Sequence, residues 1–249
     1  MEQGVTVREN RFADAVTRTV AGRAKQGVGQ PLYSHEHRTV APMESRATFG
    51  ISEYPVAETS KTGDFLIRLF DILGSIAVLT VVLPVMAVAA VVIKITSAGP
   101  VFYRQVRVGR GGGLFTLYKF RTMIEDAEKH LGPVWASPDD DRVTRVGRVL
   151  RRTRIDELPQ LYNVLRGDMS LVGPRPERPF FVKQYKALQG VRLAVKPGIT
   201  GLAQVRNYYD LKPDHKARYD YLYVQKRSLV LNIYILVLTI PVVLAKKGW

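Results

Sequence analysis

Hydrophobic and polar positions divide this chain into segments of different character. Residues 1–60 mix Gly, Pro, Ser, Thr and charge with little sustained period, and read as a flexible tail. Within it Phe12, Val16 and Val20 share helical spacing, enough for one short amphipathic helix. Residues 72–93 then form an uncharged apolar run, close to the ~20 residues a helix needs to span a hydrocarbon core. Pro84 stands near its middle, where proline removes a backbone hydrogen bond and bends a helix. Lys61 and Arg68 precede the run, and Lys94, Arg104, Arg107 and Arg110 follow it. The tail adds Arg8, Arg11, Arg18, Arg23 and Lys25, so neither flank has the basic-poor character of an exported side. Two topologies satisfy this pattern. The helix dips in, bends at Pro84 and returns to the same face, or it spans and tolerates a proline kink.

Beyond the run, 101–106 and 114–120 are strand-like, and Gly109-Arg-Gly-Gly-Gly113 between them predicts a hairpin turn. Leu114 stands where a dinucleotide fingerprint needs its last glycine, and no Walker lysine follows, so the cluster is a turn and not a phosphate loop. Helical spacing predicts helices at 124–129, 147–154, 157–165, 180–189 and 217–226. Prolines and glycines predict extended or turn structure at 172–176 and 196–201, and 137–142 reads as a polar loop. A second apolar stretch, 229–245, is interrupted by Asn232 and Pro241 and closed by Lys246, Lys247 and Trp249. It reads as an interfacial helix with lysine and tryptophan anchors, the alternative being a core helix.

Composition sharpens this picture. The chain has 249 residues, 46% of them apolar, which is enough for a real core. Lys and Arg number 37 against 22 Asp and Glu, a formal charge of +15 that points to anionic partners. Beside an apolar anchor, acidic lipid and phosphorylated substrates are favoured. Nucleic acid is not expected, because zinc spacing, a helix-turn-helix signal and RNA-binding aromatic signatures are missing from the sequence. Cysteine is absent, which excludes disulfides, thiol nucleophiles and thiolate metal sites. The first residues lack the apolar stretch of a secretory leader, so no cleavage is expected there.

Candidate chemistry centres on Asp156 and Glu157. A helix starting there makes Asp156 its N-cap and puts Pro159 in the first turn. The helix terminus and Arg151, Arg152 and Arg154 are expected to keep both acids ionised. An ionised aspartate can attack phosphorus, and its neighbour can help hold Mg²⁺. The bland alternative is an N-cap with a solvated glutamate. Lys119 and Arg121, two apart on a strand, share one face and suit a diphosphate, unless that face is simply solvated. Arg175, fixed between Pro174 and Pro176, offers a bidentate phosphate ligand on a rigid mount rather than an ordinary surface turn. The acidic triplet 139–141 has the look of a metal cluster but its context reads as an exposed loop. His35, His37, His130 and His215 show no metal spacing beyond the first pair, so no histidine metal site is expected.

In this order the segments resemble the bacterial sugar transferase family, the small monotopic phosphoglycosyl transferases. The resemblance runs from about Phe65 onward through Arg68-Leu-Phe-Asp-Ile72, Gly99-Pro-Val-Phe102, Tyr118-Lys-Phe-Arg-Thr-Met123 and Asp156-Glu-Leu-Pro-Gln160. It continues through Asn163-Val-Leu-Arg-Gly-Asp-Met-Ser170, Val172-Gly-Pro-Arg-Pro-Glu177 and Lys196-Pro-Gly-Ile-Thr-Gly-Leu-Ala-Gln204. It implies transfer of a sugar 1-phosphate from a UDP-sugar to undecaprenyl (polyprenyl) phosphate, releasing UMP through a covalent aspartyl intermediate, as the first committed step of a surface-glycan or exopolysaccharide pathway. It implies Asp156 as nucleophile, Glu157 as its partner, Mg²⁺ at this pair, phosphate-binding Arg151 and Arg175, and a basic strand carrying Lys119 and Arg121. It also favours the re-entrant helix broken at Pro84. Two departures stand out. Leu83 replaces the serine that many members place before the proline, and Val205-Arg-Asn-Tyr-Tyr-Asp210 replaces their Asn-Gly-Arg, which leaves the sugar open.

The expected architecture is α/β, mainly helical with a small β-hairpin or sheet, anchored by the re-entrant helix plus interfacial helices. Its parts are the tail 1–60, the membrane region 61–95, a catalytic domain 96–228 on the cytoplasmic face of the bacterial inner membrane, and an interfacial helix 229–249. Partners are a nucleotide sugar, polyprenyl phosphate and anionic lipid, and the reading is compatible with a homodimer. The rivals are a conventional glycosyltransferase using 139–141 for metal and releasing UDP, and a basic membrane adaptor with no activity.

Overall fold

A computed structural model describes residues 60–128, 134, 140–207 and 212–245. The tail, its Phe12–Val20 helix, His35, His37, His130, Asp139 and residues 246–249 lie outside these.

Helix α1 spans Lys61–Thr96, 36 residues. The Ser60 hydroxyl accepts from Gly63 N at 3.1 Å, and Asp64 and Lys94 complement the dipole at the two ends. Pro84 lies inside the helix and helical residues continue on both sides, so the proline does not end the element as a break would. The outer surface is apolar: Leu73, Val81, Leu83, Val88 and Val91 are all exposed. Both halves of α1 pack on the rest of the protein. In the first half Arg68 donates to the carbonyls of Val164 and Leu165 at 2.6 and 2.9 Å. Both carbonyls lie in the last turn of helix α3 (Gln160–Arg166), where Val164 O also accepts from Gly167 N at 3.0 Å. Asp71, fully buried, accepts from Ser170 Oγ and Leu171 N, both at 2.9 Å. In the second half Ala89 and Ile93 pack with Phe120 and Leu150.

The hairpin forms as its alternation and turn predict. Strands β1 (Phe102–Val108) and β2 (Leu114–Phe120) pair antiparallel. Gly111 and Gly112 take φ of 69° and 75° in the turn, where a side chain would be strained. Helix α2 (Arg145–Arg152), capped by Thr144, places Val146 and Leu150 against α1. A 3₁₀ turn, Ile155–Glu157, leads into α3, whose buried Asn163 accepts from Tyr118 N at 3.1 Å and donates to Thr116 O at 2.7 Å. Strand β3 (Ser170–Val172), α4 (Pro179–Gln184), β4 (Gly198–Thr200), α5 (Leu202–Asn207), α6 (Pro213–Lys226) and α7 (Leu229–Leu244) complete the described elements. The main core gathers Val164, Met169, Val172, Tyr223, Val224 and Ile235.

Several expectations are corrected. Residues 125–128 form a turn and not a helix. The helix expected at 180–189 ends at Gln184, followed by a 3₁₀ turn at Lys186–Leu188. The 196–201 turn contains β4, which pairs parallel with β3. This pairing depends on glycine. A Cβ on Gly198 would lie 2.0 Å from Gly173 N, and one on Gly201 2.2 Å from Gly173 O, so the two segments interlock without side chains. Helix α7 buries Asn232 and Ile235 and exposes Val230, Val237, Ile240 and Leu244, an arrangement that combines the core and interfacial readings.

Asp71→Ala should leave two buried donors without an acceptor and destabilise the protein by about 3 kcal/mol. Asp71→Asn, which keeps one acceptor oxygen, should cost less. Thermal unfolding in detergent tests this, and equal midpoints for wild type and Asp71→Ala would refute the anchoring role.

Candidate functional site

One cavity of about 940 Å³ is lined by Lys119, Arg121, Arg151, Asp156, Glu157 and Arg175, all six charged residues singled out from the sequence. Asp156 and Glu157 reach it from the 3₁₀ turn Ile155–Glu157. Arg154 precedes it in the left-handed conformation at φ 60°, which swings the chain out of α2 and brings both acids inward. Asp156 is therefore not the N-cap of a helix starting there: α3 begins at Gln160 with Pro159 as its cap residue. Asp156 and Glu157 are only 6% and 8% exposed.

Burying adjacent carboxylates is costly unless something neutralises them. Glu157 has that help: Arg175 Nη2 donates to Oε1 at 2.5 Å, and Arg154 Nη1 lies 3.8 Å from the same oxygen. Burial opposes ionisation of Glu157, but the charge and hydrogen bond of Arg175, then Arg154 and Lys119, outweigh it and hold the carboxyl well below its usual range. Asp156 behaves oppositely. Burial first, then the charge of Glu157, pushes it up to about 6, against Lys119, Arg151 and Arg154. The expectation that the arginines hold both acids low is thus corrected for Asp156. Arg152, counted among them, is exposed on the outer side of α2. Asp156 Oδ1 is buried and has no hydrogen-bond partner among the described residues.

Lys119 lies on β2 with its ammonium 5.1 Å from the centre of the Tyr103 ring. Burial, reinforced by the like charge of Arg107, lowers it to about 8. Arg121 falls just past the strand, so it does not share a strand face with Lys119. It donates to Ser97 O and Oγ at 2.9 and 2.7 Å, tying the cavity wall to the end of α1, while its Nε and Nη1 are buried without partners among the described residues. Arg151 is held by Thr122, Nε to Oγ1 at 2.9 Å.

Arg175 is mounted as its prolines suggest, and a second arginine completes the mount. Buried Arg192 donates to Arg175 O at 2.7 Å and to Asp220 Oδ2 on α6 at 2.9 Å. Beside it Glu177, buried, meets Lys216 Nζ at 3.3 Å and Arg107 Nη1 at 3.9 Å. Arg107, read only as a basic flank of the apolar run, and Glu177, quoted only within a motif, were not read as site residues, and Arg192, Lys216 and Asp220 were not noticed in the sequence. Glu177 alone carried a signal, its place beside Pro176 in a motif.

The acidic triplet has a different fate. Both carboxylate oxygens of Asp140 accept from the Arg142 side chain at 2.5 to 2.8 Å, so Asp140 closes its own loop. His215 is exposed on α6. Among the described residues no group of three or more His, Cys, Asp or Glu could hold a metal. A partnerless Asp156 oxygen beside Glu157 suits the other mode, in which a hard cation takes one or two carboxylates plus substrate phosphates.

The chain is similar to several known proteins. Over 190 residues the chain is 44% identical to the UDP-N-acetylgalactosamine-undecaprenyl-phosphate N-acetylgalactosaminephosphotransferase of Aeromonas hydrophila, covering 74% of this chain and 45% of that protein. It is 40% identical over 203 residues to the UDP-glucose:undecaprenyl-phosphate glucose-1-phosphate transferase of Klebsiella pneumoniae, covering 77% of this chain and 43% of the relative. It is 42% identical to an uncharacterized sugar transferase of Bacillus subtilis, covering 73% and 88%. The chain thus spans less than half the length of the first two. A family model described as bacterial sugar transferase matches residues 62–246, and the chain belongs to that family.

Proposed function

We propose that the protein transfers a sugar 1-phosphate from a UDP-sugar to undecaprenyl phosphate at the cytoplasmic face of the cell membrane, initiating a surface glycan such as an exopolysaccharide. The observation that carries this reading is the partnerless, buried Asp156 oxygen inside an arginine- and lysine-lined cavity. The Asp156 carboxylate attacks the β-phosphorus. A phosphorus–oxygen bond forms, the bridging bond to the α-phosphate breaks, and UMP leaves. An oxygen of the lipid phosphate then attacks the same phosphorus and frees Asp156, leaving a lipid diphosphate sugar. Lys119, Arg151 and Arg175 face the phosphate oxygens on which charge develops. Asp156 and Glu157 would hold Mg²⁺, which supplies further positive charge to those oxygens.

The membrane reading is supported by α1. Its first half bonds to α3 and β3 and its second packs on Phe120 and Leu150, so both ends lie on the side of one folded domain. A spanning helix would separate its ends by the ~30 Å hydrocarbon core. On this reading α1 re-enters near Pro84, and the exposed apolar faces of α1 and α7 share one lipid surface. The rival glycosyltransferase is disfavoured by the closed Asp140–Arg142 pair.

The direct test is the nucleotide product with undecaprenyl phosphate, Mg²⁺ and a panel of UDP-sugars. UMP with a lipid diphosphate sugar is expected, whereas UDP would overturn the mechanism. Asp156→Asn should lower kcat roughly 10⁴-fold or more with the fold intact. The kcat/KM profile should be bell-shaped. Asp156 must be ionised, so the rate falls as pH drops through about 6. Lys119 must be charged, so the rate falls again as pH rises through about 8. Lys119→Arg should remove the alkaline limb, and an unchanged limb would show that another group sets it.

A further inference from the structure

Helix α2 divides its arginines between two tasks. At ~100° per residue, Val146 and Leu150 form the face packed on α1. Arg151, on one flank, turns to Thr122 and the cavity. Arg145, Arg148, Val149 and Arg152 fall on the other flank within an arc of roughly 100°, and all four are exposed. Val149, at 60% exposure, is an apolar tip among the three guanidinium groups. No ion-pair partner is found for Arg145, Arg148 or Arg152 among the described residues.

The position of this face matters more than its charge. Val146 and Leu150 rest against Met86, Ala89, Ala90 and Ile93, in the last turns of α1. Packed helices have axes ~8–10 Å apart, within the reach of an arginine side chain. Neighbouring Val85, Val88, Val91 and Ile95 on α1 are exposed and apolar. Three cations with no ion-pair partner among the described residues therefore flank the point where a lipid-embedded helix leaves the hydrocarbon.

We infer that the Arg145, Arg148, Val149 and Arg152 face of α2 binds the headgroups of anionic phospholipids in the leaflet that holds α1, with Val149 inserted at the acyl boundary. This rests on the membrane placement of α1 proposed above. The headgroups supply the counter-charge that the described residues do not, and the bound lipid fixes how far the neighbouring cavity stands from the surface. Each arginine near an anionic surface contributes ~1 kcal/mol, about fivefold, so three amount to roughly a hundredfold preference.

The experiment is a competition. Full-chain protein in detergent is dialysed with two equally abundant vesicle populations of different density, one of phosphatidylcholine and one containing phosphatidylglycerol, and the bound protein in each is measured. Wild type should favour the anionic vesicles by up to a hundredfold at low salt, falling as salt screens the charges. R145Q/R148Q/R152Q should lose most of that preference while still entering both populations, and R145K/R148K/R152K should restore it. Equal distribution of wild type, or a preference that survives the glutamine substitutions, would overturn the inference. If wild type folds but enters neither population, the membrane placement itself falls, and the inference with it.

Discussion

Two neighbouring carboxylates are buried at the bottom of one basic cavity, and nearly everything around them serves to make that tolerable. Arg175 and Arg154 converge on Glu157, so the stable form of the pair has its charge on that side. Asp156 receives less compensation and retains a free oxygen. The asymmetry gives the pair two different characters: a fixed negative charge on Glu157, and on Asp156 a carboxyl pushed up to about 6.

Keeping Arg175 in place recruits distant parts of the chain. Its carbonyl is tied to Arg192, which is tied to Asp220, and the loop bearing it leaves β3, which pairs parallel with β4. Strand β3 is in turn anchored to α1 by Asp71. The long apolar helix α1 and the cavity are thus joined by a short series of buried polar contacts, and a disturbance of the helix has a route to the cavity.

What could be read from the sequence follows the range of the forces involved. The hairpin was legible because alternating residues and a glycine turn are local. Asp156, Glu157 and Arg175 were legible because motifs with proline neighbours restrict the backbone. The Arg192–Asp220 pair, 28 residues apart, has no local signature. Strands β3 and β4 are three residues each, too short for any period to show. The ionisation of Asp156 was misread because burial, which together with the charge of Glu157 outweighs Arg151 and Arg154, cannot be read from neighbours in sequence. Arg152 points outward, whereas Lys119, from a strand far earlier, lies close enough to act on it. Arg121 was misplaced for a simpler reason: the strand ends one residue before it.

The glycine interlock of Gly173, Gly198 and Gly201 has a consequence for how such a protein can diversify. Backbone lies where side chains would be, so these positions admit no gradual change, and the loop that carries Arg175 inherits their rigidity. Tyr103, Gln105 and Glu128, which also line the cavity, are held by side chains and not by interlocked backbone: Gln105 bonds to Tyr103 and Arg107, and Glu128 to Arg178. A substitution there can be met by side-chain rearrangement, whereas one at the three glycines meets backbone that has nowhere to go.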